Sequence, residues 1–214
     1  MRKKLKAYRF YLIALAAVVL MDTVLAGQLK QRAADTGSAN RREQSVISGE
    51  TRFFPIAGSG LEELSFEYVD SWQADRSFGG DRHHEGCDII TSVNRRGVYP
   101  VVSMTDGTVE QLGWLKLGGW RIGIRSPGGM YYYYAHLESY AEDLQVGSEV
   151  LAGQFLGFVG DSGYGEEGTT GQFVVHLHLG IYVPDENGED QAVDPYPFLE
   201  ERREDLIQAD YGLP

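Results

Sequence analysis

A mainly β protein built on one sizeable domain is what this sequence predicts, on three grounds. Its 214 residues are 43% hydrophobic and 12% aromatic, enough for one large core and too few for two. The 27 glycines and 13 tyrosines suit short strands joined by tight turns. After the first thirty residues, little alanine-leucine periodicity remains from which to build long helices.

The chain opens with Arg2, Lys3, Lys4, Lys6 and Arg9, runs apolar from Phe10 to Met21, and then meets Asp22. A basic flank followed by a short apolar run is an export signature. Residues 1–27 are therefore expected to form a hydrophobic helix. It acts either as a signal peptide, with Val24, Leu25 and Ala26 at the cleavage site, or as an uncleaved anchor in the cytoplasmic membrane. Both alternatives place the rest of the chain outside that membrane. Residues 28–50 are polar without a sustained apolar stripe and read as a solvated linker, which leaves residues 51–214 for the folded domain.

Within that domain, strands are expected over Tyr99 to Val102, Gly119 to Arg125 and Met130 to Leu137. The last two are joined by a turn at Ser126-Pro127-Gly128-Gly129. The glycine-spaced stretch from Val146 to Gly160 reads as further short, tightly turned strands. Phe198 to Gln208 reads as a short surface helix. Charge is divided unevenly: residues 1–50 carry 9 basic and 4 acidic side chains, and residues 51–214 carry 10 and 27. So acidic a domain argues against nucleic acid as a partner.

The single cysteine, Cys87, permits no intramolecular disulfide and no cysteine-rich zinc knot, so a metal would have to be held by histidine and carboxylate. Four of the five histidines fall in three local patterns. In His84-Glu85-Gly86-Cys87-Asp88, the four-residue spacing puts His84 and Asp88 on one face of a strand or of a helix, within reach of one ion. Gly86 between them removes bulk on that face. In Val175-His176-Leu177-His178-Leu179-Gly180-Ile181, strict alternation sends the leucines and isoleucine to one side and both histidines to the other. In Tyr132-Tyr133-Tyr134-Ala135-His136, a regular strand would put Tyr132, Tyr134 and His136 on one face. Two histidines and a carboxylate make a three-ligand site with an open fourth position, the catalytic form of zinc coordination. The two remaining histidines could then act on a bound water or a developing oxyanion.

These residues arrive in an order that resembles the lysostaphin-like zinc metallopeptidases of bacterial cell walls, over about residues 53–199. The pieces are His84-x-Gly86-x-Asp88-Ile89, Tyr99-Pro100-Val101, Asp106-Gly107-Thr108-Val109, Tyr134-x-His136-Leu137, the glycine-spaced run from Val146 to Gly160, His176-Leu177-His178, and Val193-Asp194-Pro195. The resemblance implies a compact antiparallel β-sheet domain with a substrate groove, in which His84, Asp88 and His178 hold one Zn2+ and His136 and His176 are catalytic. It also implies a peptide substrate, the cross-links or stem peptides of peptidoglycan, met at the cell wall by a secreted or membrane-anchored enzyme. Two details depart from the family pattern. Thr169-Thr170-Gly171 is separated from His176 by four residues, and Gly180 stands where an acidic residue is usual. His83, one position out of phase, reads as a surface or supporting residue, and Cys87 as a small core residue. Two rival readings use the same residues: a catalytically silent wall-binding or regulatory module with this fold, and a non-haem iron oxygenase, whose facial triad is also two histidines and a carboxylate.

Overall fold

The computed structural model describes residues 40–77 and 80–211, so the expected hydrophobic helix of residues 1–27 lies outside the described residues. Among the described residues, no helix is long and apolar enough to cross a membrane. The chain divides into two units at the boundary between Ser45 and Val46.

The second unit begins earlier than the expected boundary at 51. Residues 40–50 are helical (α1), and the end of this helix is built into the domain rather than serving as linker. Ile47 is 1% exposed in the core. Glu50 accepts hydrogen bonds from Ser126 Oγ and the Gly128 amide. Arg202 donates to the carbonyls of Ser48 and Thr51 at 2.9 and 2.8 Å, satisfying acceptors left open at the helix C-terminus. One buried isoleucine makes no periodic stripe, which is why composition alone reads this stretch as linker.

The domain is organised on one antiparallel sheet. Its main path runs β1 (Phe66–Tyr68), β4 (Cys87–Thr91), β11 (His176–Pro184), β8 (Tyr131–Tyr140), β7 (Gly119–Arg125), β6 (Gly107–Leu115) and β9 (Glu149–Val150). β12 (Asp190–Val193) joins β11, and β10 (Phe155–Val159) pairs with both β5 (Pro100–Val102) and β8. A separate hairpin is made by β2 (Asp75–Arg76) and β3 (Arg82–His83). The expected hairpin is present: the Ser126 amide bonds the Met130 carbonyl across the turn at 2.8 Å, and β7 hands over to β8.

Alternation decides which face is core. Leu177, Leu179 and Ile181 of β11, Ile122 and Ile124 of β7, and Tyr132 and Tyr134 of β8 are fully buried on one side of the sheet. The two tyrosines bring hydroxyls into that core, and each is satisfied. Tyr132 Oη lies 3.0 Å from Thr51 Oγ1, and Tyr134 Oη accepts the Met104 amide at 2.9 Å. Near the C-terminus, α2 spans Tyr196–Glu201, shorter than the expected Phe198 to Gln208, and it is not a surface element along its apolar side. Phe198 and Leu199 are buried, and Gln208 beyond it bridges to Gly58 in extended form.

Ile47→Ala should destabilise the protein by about 3 kcal/mol, as for a buried aliphatic side chain truncated in a close-packed core. A urea titration of both proteins measures it, and an unchanged midpoint would return residues 46–50 to the linker.

Candidate metal centre

Three neighbouring strands bring the predicted site residues together. Asp88 on β4 is the direct cross-strand partner of His178 on β11, which in turn faces Ala135 on β8. His84 precedes β4 and is carried by the β2–β3 hairpin. Its amide bonds the Ala74 carbonyl and its carbonyl accepts the Gln73 amide, both at 2.9 Å. Ligand atoms of His84, Asp88 and His178 all lie within 4.8 Å of one another, and these residues could hold a metal ion.

The donor atoms of the cluster suit a cation. His84 Nδ1 lies 3.1 Å from both the carbonyl and the hydroxyl of Ser71, so it can donate to the first, leaving Nε2 as a lone pair for a metal, or accept from the second, leaving Nε2 to donate to Asp88. His84 Nε2 points at Asp88 Oδ1 and at His178 Nδ1, each 3.1 Å away, and His178 Nδ1 is 2.9 Å from the same Oδ1. With the proton on Nε2 the metal-free cluster is satisfied by hydrogen bonds to Asp88, and with the proton on Nδ1 the Nε2 lone pair is set to take a cation. Two imidazole nitrogens and one carboxylate oxygen are the donor set of a catalytic zinc site. Burial alone would push the Asp88 carboxyl up. The hydrogen bonds from His178 and His84 outweigh it and hold the group well below the usual carboxylate range, so it is an anion at any working pH.

Gly86 makes room, as expected from its position, but for a ligand rather than for the ion. A Cβ there would lie 2.5 Å from His178 Cε1 and 2.6 Å from the Leu179 carbonyl oxygen, so any other residue would expel the His178 ring. Cys87 is 1% exposed and its thiol is pushed up to about 12, chiefly by burial, as suits an inert core residue. His83 is exposed and lies against Asp75, 3.3 Å away.

His136 reaches the site by an irregularity that alternation does not predict. A regular strand would bury it with Tyr132 and Tyr134. Instead, Ala135 and His136 stand opposite the single Arg121, and His136 adopts φ 61°, a left-handed conformation uncommon for a residue with a Cβ. This bulge turns the ring to the groove face and lets Leu137 return to the core. His136 Nδ1 donates to the Ser162 carbonyl and His176 Nδ1 to the Val174 carbonyl, both at 2.8 Å, which leaves both Nε2 atoms as lone pairs. The two rings are 4.7 Å apart, and His176 Nε2 is 3.8 Å from Asp88 Oδ1. Burial lowers both imidazoles below the ordinary 6.5. For His136, the neighbouring His176 and His178 lower it further, and for His176 the Asp88 charge acts in opposition.

A groove of about 950 Å³ passes over this cluster. Tyr131, Tyr133 and Tyr182 line it, as do Arg82, Lys116 and Arg121. Several supporting residues carry no local sequence signal. Phe173 and Tyr164 pack edge-on against His136 at 4.6 and 5.9 Å, Ser71 and Ser162 fix ring orientation, and Arg76 pairs with Asp88. Only Tyr133 is legible in the sequence, as the out-of-phase neighbour of two core tyrosines.

The sequence profile of Peptidase family M23 matches residues 82–195. The L-Ala–D-Glu endopeptidase of Bacillus subtilis (strain 168) is 45% identical over 171 residues, covering 74% of this chain and 51% of that protein. This chain thus spans about half the length of that relative. Among solved structures, a candidate glycyl-glycine endopeptidase lytM from Ruminococcus gnavus ATCC 29149 superposes with a TM-score of 0.72 at 53% identity, over 78% of this chain and 66% of that one. The antimicrobial peptidase lysostaphin from Staphylococcus simulans superposes with a TM-score of 0.50 at 27% identity, over 73% and 56% of the two chains.

Because His136 and His176 are neutral and buried, the unfolded chain takes up their protons before the folded one does. Metal-free protein should keep its full stability above the ordinary imidazole value of 6.5 and lose it as pH falls below that value towards the lowered folded ones. Asp88 acts in the same direction only below the ordinary 3.8. Urea midpoints of the metal-free protein between about pH 7.5 and 5 should therefore fall, and fall less in His136→Asn.

Proposed function

Since this chain belongs to peptidase family M23, we propose that it is a zinc-dependent endopeptidase that hydrolyses peptide bonds of bacterial peptidoglycan outside the cytoplasmic membrane. The observation that carries this reading is the pair of unprotonated Nε2 atoms, on His136 and His176, beside the three-ligand cluster of His84, Asp88 and His178. A silent binding module needs no such pair, and an iron oxygenase has no use for two neutral bases at its open side.

Zinc, when bound, lowers the pKa of a water to about 7 and polarises the scissile carbonyl. The protein supplies the rest. Asp88 contributes its negative charge and His84 and His178 contribute neutral nitrogens, each fixed by a backbone or cross-strand partner. One of the two remaining imidazoles, His136 or His176, accepts the proton of the attacking water at Nε2, and the imidazolium so formed places positive charge beside the oxygen on which negative charge develops. The protonated base then delivers its proton to the leaving amine as the carbon–nitrogen bond breaks. Phe173 and Tyr164 cover the His136 ring and keep bulk water from it.

The relative from B. subtilis favours the L-Ala–D-Glu bond as the one cut here. A D-glutamyl residue in such a peptide keeps one free carboxylate. The groove offers cations to meet it, Arg82, Lys116 and Arg121, although the whole chain carries a net charge of −12. The same excess of negative charge disfavours a purely electrostatic hold on anionic wall polymers.

His178→Ala and Asp88→Ala should lose both zinc and turnover. His136→Ala should keep zinc and lose on the order of 10²–10⁴ in kcat. Metal analysis beside single-turnover kinetics separates these outcomes, and turnover retained by either ligand variant would refute the site. Digestion of defined muropeptides and of pentaglycine, read by mass spectrometry, should release L-Ala-terminated fragments and leave pentaglycine intact. Pentaglycine cleavage with intact stem peptides would move the substrate to glycine cross-links.

A further inference from the structure

The two oxygens of Asp88 face different partners. Oδ1 lies 2.9 Å from His178 Nδ1 and 3.1 Å from His84 Nε2, and Oδ2 lies 2.7 Å from Arg76 Nη2. Both members of the Asp88–Arg76 pair are mostly withdrawn from water, with side chains 22% and 31% exposed. A free carboxylate beside a cation can bind through one oxygen or chelate through both, and the second mode fills a position that water and substrate need.

Building on the metal-centre reading, we propose that Arg76 is a positioning residue that occupies Oδ2 and so restricts Asp88 to one-oxygen ligation through Oδ1. The guanidinium suits this task. It donates a directed, charge-assisted hydrogen bond in a fixed plane, whereas a lysine ammonium is a rotating point charge. Its delivery is also coupled to the site. Arg76 lies on β2 opposite Arg82 on β3, and the same hairpin holds His84 through the backbone of Gln73 and Ala74. A ligand and the clamp on its neighbouring ligand are thus spaced by one short element. No local spacing announces the arrangement, because Arg76 is separated from Asp88 by 12 positions and by the hairpin turn.

The test uses the full chain, stripped of metal, in three forms: the unaltered protein, Arg76→Gln and Arg76→Lys. Zinc affinity is measured by competition with a chromophoric chelator, and coordination is read from the visible absorption of the Co2+-loaded proteins. Arg76→Gln should bind zinc roughly 10- to 100-fold more weakly. Its Co2+ bands should lose intensity as Asp88 swings to chelate and the coordination number rises. Arg76→Lys, which keeps the charge and one donor, should fall between the two in both measurements. Thermal melts of the metal-free proteins identify any variant that has lost its fold, in which case Arg76→Lys decides by the same two readouts. Wild-type affinity and an unchanged Co2+ spectrum in a folded variant would overturn the proposal. Asp88→Ala is run in parallel. Full zinc affinity there would remove the metal-centre reading and the clamp with it, while lost affinity beside an unaffected Arg76→Gln would remove the clamp alone.

Discussion

The antiparallel register between β4 and β11 is the constraint on which the rest of the site depends. It sets Asp88 directly opposite His178, so that one carboxylate oxygen is shared by imidazoles that arrive from different parts of the chain. A slip of one residue would send Asp88 to the core face and Ile89, now fully buried, to the groove. The cost of that slip comes from the apolar side of the strands, where Ile89, Leu177 and Leu179 are sealed from water. Hydrophobic burial on one face thus fixes electrostatic geometry on the other.

Much of this is legible in the sequence alone. Alternation in β11 marks His176 and His178 as partners on the face opposite the leucines, and the β7–β8 turn is written in Ser126-Pro127-Gly128-Gly129. The failures have physical causes. His136 sits on a bulge, and a period-2 rule cannot see a residue with no partner of its own. Residues 46–50 join the domain through Ile47 and Val46, through the Glu50 carboxylate and through the Ser48 carbonyl capped by Arg202, too few apolar positions to leave a periodic trace. Ser71, Ser162, Phe173 and Arg76 act by contacts that depend on chain crossings rather than on spacing.

The groove floor is made of small residues covered by large rings. A Cβ on Gly118 would meet the Tyr133 hydroxyl, and one on Gly123 would meet that of Tyr131, so these glycines exist to seat the tyrosines. Gly180 plays the same part for Tyr182, whose ring comes within 2.8 Å of the point a Cβ there would occupy. Tyr133 then packs edge-on to His178, 5.9 Å between ring centres, so the aromatic wall and the ligand set are continuous.

The β2–β3 hairpin belongs to no other sheet, and both His84 beside it and Arg76 on it reach Asp88 of the main sheet. A cation gripped by His84 from the hairpin and by Asp88 and His178 from the sheet would be a cross-link in all but covalency. In a chain with one buried cysteine, it would take the place a disulfide fills in many exported proteins. Removing the ion would then enlarge the set of conformations open to the hairpin, and a protease searching for exposed backbone would find the two hairpin strands, residues 75–76 and 82–83, first.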